Sequence, residues 1–178
     1  MKYVMKHETV SKSQLKAGDH VFAPCLTSEG DNGIFIGGDR VIYVVERKEG
    51  GGCFGARWCA PFMSTTSSGG GDSEKKKKTH CEKSYCGEEK VARSGVRLCC
   101  VDCFINEEGF LHRFICESDA PKQVVERATY LYENGCSEHK GTNVGTNYGF
   151  VEYCKTGYAA PDSATIKKNR ESARKMFK

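Results

Sequence analysis

The stretch GIFIGGDRVIYVVER, residues 33–47, decides the fold class. Two apolar runs rich in branched and aromatic residues, 34–36 and 41–45, flank Gly37-Gly38-Asp39-Arg40. Runs of that composition joined by a short glycine-rich connection predict a β-hairpin. Upstream, LKAGDHVFAP (15–24) gives a turn at Ala17-Gly18-Asp19 and a short strand through His20, Val21 and Phe22. Downstream, GVRLCCVDCF (95–104) and GFLHRFIC (109–116) read as two more strands, joined at 106–108 and compatible with an antiparallel pair. Tyr3, Val4 and Met5 add a further short strand at most. The expectation is an antiparallel sheet of four to six strands.

Helices follow. APKQVVERATYLYENG (120–135) carries Pro121 at its first turn, one stripe of Val124, Val125, Ala128, Leu131 and Tyr132, and a stop at Asn134-Gly135. GTNYGFVEYCKTG (145–157) enters a helix at Asn147, a preferred capping residue, and stops at Gly157. After Pro161, DSATIKKNRESARKMFK predicts a basic terminal helix capped by Asp162 or Ser163. The class is α+β: a sheet packed against a few helices.

The whole chain of 178 residues fits one domain able to bury a real core. The division expected is a polar segment at 1–14, a domain at 15–160, and a basic tail at 161–178. Between 48 and 94 periodicity is lost. That stretch holds EGGG, SSGGGDSE and four consecutive lysines at 75–78, which predicts a flexible insertion.

A net charge of +4 and a pI near 8.4 fall short of the strongly basic balance of a nucleic-acid binder, so none is expected. No apolar run approaches the roughly 20 residues of a membrane span. The tail's few apolar residues (Ile166, Met176, Phe177) allow no more than weak contact with an anionic membrane. The N-terminus lacks the apolar stretch of a secretory signal, and eleven cysteines, an odd count, fit a disulfide framework poorly. Reduced thiols and a cytoplasmic location are expected, with the lysine run leaving a nuclear one open. Cys53, Cys59, His80, Cys81 and Cys86 include enough thiolate and imidazole for a tetrahedral zinc site, but their spacings repeat no CxxC unit. No cofactor is expected.

Five pieces in order, LKAGDHVF (15–22), GIFIGGDRVIYVV (33–45), GVRLCCVDCF (95–104), PKQVVERATYLYENG (121–135) and TNYGFVEYCKTG (146–157), resemble the lecithin retinol acyltransferase domain. The likeness is to its plant branch and covers about residues 14–160, least well at 48–94. The resemblance implies a permuted papain-like fold. It also implies a mechanism: a cysteine at a helix start attacks an acyl ester, a histidine before the first hairpin strand is the base, and a polar residue on the next strand orients it.

At those three positions this chain departs from the family. HHGIYVG or HFGIYLG becomes Asp31-Asn32-Gly33-Ile34-Phe35-Ile36-Gly37, with Asn32 in the base's place. VVHF or VAHL becomes Val41-Ile42-Tyr43-Val44, with Tyr43 in the orienting place. NCE(H/D)F becomes Thr146-Asn147-Tyr148-Gly149-Phe150, with Asn147 in the nucleophile's place. Asparagine neither ionises to a nucleophile nor takes a proton near neutral pH. Losing such a group costs on the order of a million-fold in a comparable hydrolase. The resemblance therefore implies a pseudoenzyme that binds a protein or a lipid-like ligand through the old site, with Asn32, Tyr43 and Asn147 as a hydrogen-bonding cluster. The alternative is a thiol-dependent acyltransferase or hydrolase with a displaced cysteine. Cys25 with His20 as base is the pair to consider, whereas Cys154 is expected to be packed core.

Overall fold

The computed structural model describes residues 6–25, 28–45, 81–105, 111–115 and 118–176, with only the backbone described at Cys25, Ser28, Glu29 and 170–176. Its frame is the predicted hairpin, enlarged. Strand β3 (Ser28–Gly37) turns at Gly38-Asp39 into β4 (Arg40–Val44). Both turn residues are left-handed, Gly38 at φ 58° and Asp39 at φ 65°, the signature of a two-residue type I′ turn whose twist matches its strands. Strands β1 (Lys6–Thr9), β2 (His20–Cys25), β5 (Val96–Cys100) and β6 (His112–Ile115) complete a six-stranded antiparallel sheet in the order β1-β6-β2-β3-β4-β5.

That order corrects two expectations. The strand expected over 95–104 ends at Cys100, and a short helix α1 (Val101–Ile105) follows it directly. The strand over 109–116 does not pair with it: β5 lies beside β4, whereas β6 sits between β1 and β2. Part of the N-terminal segment expected to be loose is the edge strand β1. Tyr3, Val4 and Met5 lie outside the described residues.

Alternation along the strands sorts the core into two clusters. Ile34, Ile42, Val44, Val96 and Leu98 face helices α2 (Pro121–Asn134) and α3 (Asn147–Thr156), packing on Val124, Leu131, Phe150 and Val151. Val21, Ala23, Phe35, Val41, Tyr43 and Cys99 face the other way, onto Val101, Phe104 and Leu111. Helix α4 (Ser163–Met176) is capped by Asp162, whose Oδ1 accepts from Thr165 N at 2.7 Å. Its start is tied to the loop before α3 through Asp162 N–H to Gly141 O at 2.9 Å. Of the stretch expected to be a flexible insertion, 81–94 is described, and Gly87 and Glu88 within it pair with Leu98 of β5. The remainder falls outside the described residues. No described helix is long and apolar enough to cross a membrane.

Candidate functional site

Helix α3 begins where the sequence predicts, but Asn147 is not its cap. Thr146 holds that position, its Oγ1 accepting from Gly149 N at 3.1 Å. Asn147, one residue on, turns its amide to β3: Oδ1 accepts from Asn32 N and Nδ2 donates to Gly30 O, both at 2.8 Å. The physical reason is competition. Both residues cap well, but only the Asn147 amide carries its donor and acceptor on two separate atoms, Nδ2 and Oδ1, to match the backbone C=O and N–H that β3 presents.

Asn32 is thus brought to Asn147, and its side chain meets a third residue. His20 Nε2 lies 2.8 Å from Asn32 Oδ1, an atom that only accepts, so the ring is the Nε2–H tautomer and donates. His20 is 2 % exposed and stacks on Phe114, its cross-strand partner, with ring centroids 4.5 Å apart. Burial holds its imidazole down at about 4, opposed by the Asn32 bond and reinforced by the charge of Lys155. The ring is neutral at pH 7, and its Nε2 proton is already spent on Asn32.

Tyr43 does not join this cluster. It is the register partner of Gly33, so it leaves β4 on the opposite face from Ile34 and lies edge-to-face on Phe104, centroids 5.7 Å apart. The three-residue cluster expected from the sequence is replaced by His20, Asn32 and Asn147. Cys25 fares no better as a partner for His20. The two stand at opposite ends of β2, five residues apart, which along an extended strand is about 16 Å. A nucleophile–base hydrogen bond does not span that gap. Cys154 is fully buried among Val124, Leu131 and Phe150, and burial pushes its thiol well above the ordinary range, as a packed, inert cysteine requires.

Two features escaped the sequence reading. Asp31, opposite Ala23 on β3, sits on the Tyr43 face, and burial pushes its carboxyl up to about 6. Its neighbour Asn32 drew attention only through the family pattern, and nothing in the sequence marks Asp31 as buried. The second concerns the zinc candidates. Cys53, Cys59 and His80 lie outside the described residues, but Cys81 and Cys86 converge with Cys100 and Cys103. The signal was present as Cys100-Val-Asp-Cys103, a CxxC concealed in what read as one strand.

Two ionisable groups with shifted pKa values, His20 and Asp31, set an acid response. Between pH 6.5 and about 4 the unfolded chain protonates His20 and the folded chain does not, so stability falls as pH falls. Between 3.8 and about 6 the folded chain keeps the Asp31 proton that the unfolded chain has released, so stability falls as pH rises. The two slopes oppose. Asp31→Asn is expected to stabilise the protein at pH 7 by about 2 kcal/mol, allowing for partial exposure, and to unmask a loss of about 3 kcal/mol on acidification to pH 4. Urea unfolding at several pH values checks this. Parallel pH profiles for the parent and the variant would refute it.

No family model, no curated protein and no solved structure matches this chain.

Proposed function

We propose that the protein is a catalytically inactive member of the lecithin retinol acyltransferase family, with that family's permuted papain-like fold, and that it binds a protein or lipid-like ligand at the former catalytic site. One observation carries the reading. The residue at the nucleophile's position, Asn147, meets the strand that bears the base's position, Asn32, and does so by two hydrogen bonds that fasten backbone to side chain. Two residues 115 apart in sequence come together where the resemblance requires a nucleophile and a base to meet. Each carries an amide in place of reactive chemistry. The adjacent imidazole is a weak rescue, because burial holds its pKa at about 4, too low for an effective base at pH 7. A site whose polar groups are consumed in holding α3 to β3 has structure to offer a ligand and no proton-transfer path.

Acyl labelling tests this. The full chain, native and urea-unfolded, is incubated with a p-nitrophenyl acyl ester and followed by ester release, intact mass and peptide mapping. Release by the native chain is expected not to exceed the thiol background of the unfolded chain, with no stoichiometric single-site thioester. Stoichiometric acylation of one cysteine in the native chain alone, Cys25 included, overturns the reading in favour of a displaced nucleophile.

A further inference from the structure

At the end of β5, beside the last strand of the sheet, four cysteines from two separate segments meet. Cys81 and Cys86 bracket a turn, in which Cys86 N–H bonds Lys83 O at 3.0 Å. Cys100 ends β5 and Cys103 lies in the first turn of α1. Their four Sγ atoms all lie within 4.8 Å of one another. Cys100 Sγ is 3.7 Å from Cys81 Sγ and 3.8 Å from Cys86 Sγ. We propose that Cys81, Cys86, Cys100 and Cys103 bind one zinc ion in a tetrahedral, all-thiolate structural site.

The geometry separates this from the two other states available to clustered cysteines. A disulfide brings sulfurs to about 2 Å, and these four residues are free thiols. Thiols packed merely as small apolar groups touch in pairs at such distances but have no reason to bring all four sulfurs within 4.8 Å of one another. A tetrahedron with metal–sulfur bonds of about 2.3 Å has edges of about 3.8 Å, which matches both close sulfur pairs. Backbone amides also point at the sulfurs: Cys100 N–H to Cys86 Sγ at 3.5 Å, and Cys103 N–H to Cys100 Sγ at 3.4 Å. Such donors orient thiolate ligands and offset their charge.

The turn from strand to helix at Val101 places Cys100 and Cys103 on one side. The tie between 81–88 and β5, Gly87 N–H to Leu98 O at 2.7 Å and Leu98 N–H to Glu88 O at 3.1 Å, brings the other pair against them. The carboxylates of Asp39 and Asp102 adjoin Cys100 but are engaged by Lys12, at 2.6 and 2.9 Å, and by Lys83. Four soft ligands in tetrahedral array select zinc over hard cations, and binding releases the thiol protons as the metal–thiolate bonds form. The ion would reinforce the 81–88 segment against β5, the last strand of the sheet among the described residues.

The test uses the full chain purified under reducing conditions. Elemental analysis is expected to give one zinc per chain, lost in Cys100→Ser and in Cys103→Ser and retained in Cys136→Ser, whose thiol belongs to the other core cluster. Because loss of the ion can unfold the serine variants, X-ray absorption on the parent protein supplies an independent reading. Four sulfur scatterers at about 2.3 Å are expected. Substoichiometric metal in the folded parent, zinc that survives Cys103→Ser, nitrogen or oxygen in the first coordination sphere, or iron in place of zinc each overturns the assignment.

Discussion

Gly149→Ala is expected to destabilise the protein by about 4 kcal/mol, although alanine is the better helix former. Propensity alone favours the substitution by about 1 kcal/mol inside a helix. The structure reverses the sign. A Cβ at position 149 would stand 2.0 Å from Asn143 O and 2.6 Å from Asn143 C, both backbone atoms. Asn143 has little freedom to retreat. Its carbonyl accepts from Thr146 N at 2.9 Å and Thr146 Oγ1 at 2.8 Å, and its amide donates to Ala160 O at 2.8 Å. Relieving the clash means moving α3 off its cap or breaking the tie to residues 160–162. Overpacking against rigid neighbours ordinarily costs about 1–3 kcal/mol, and a backbone-to-backbone collision belongs above that range. Urea unfolding monitored by circular dichroism measures it. An unchanged midpoint would mean that the close approach of α3 to the loop at 143 is wrong.

The same helix shows what a sequence can and cannot convey. Its ends were legible because Gly157 supplies the left-handed residue that terminates a helix, φ 71° here, and α2 was legible because Pro121 and Gly135 bracket one apolar stripe. The turn at Gly38-Asp39 was legible for the same kind of reason: the conformation demands particular residues. Pairing partners were not legible. The strands at 96–100 and 112–115 are neighbours in sequence, yet they are separated in the sheet by three strands, and no local residue encodes that. The switch from strand to helix at Val101 was hidden because LCCVDCF is apolar but for Asp102, so neither period stands out. Tyr43 was assigned to the site by position in a motif, whereas the pleat sends it to the other face. Of the three positions singled out by the resemblance, Asn32 and Asn147 are held together by geometry that the sequence alone does not convey. His20 entered the cluster because its register partner is Ile34, on the same face as Asn32.

The second large effect belongs to Asn147. Asn147→Ala removes an acceptor from Asn32 N–H and a donor from Gly30 C=O, and it introduces nothing in their place. Gly30 is buried and held: a Cβ there would already lie 2.6 Å from Ala23 O and from the Phe22 ring, so its carbonyl cannot swing to a new partner. An orphaned buried backbone group costs about 1–3 kcal/mol, and water at the half-exposed helix start relieves part of the second. The expected loss is about 3 kcal/mol. Asn147→Asp separates the two bonds, because a carboxylate still accepts from Asn32 N–H but at neutral pH cannot donate to Gly30 O. Its deficit should shrink as acid protonates the carboxyl and restores a donor. Asn147→Cys returns the nucleophile type that the resemblance associates with this position, and it bears on function as well as on stability. It is expected to lose stability like the alanine variant and to show no ester turnover above the unfolded-chain background. The thiol would replace the fastening without gaining an effective base, since burial holds the His20 imidazole down at about 4. Turnover by Asn147→Cys would show instead that the base function persists in this chain and that the nucleophile alone was missing.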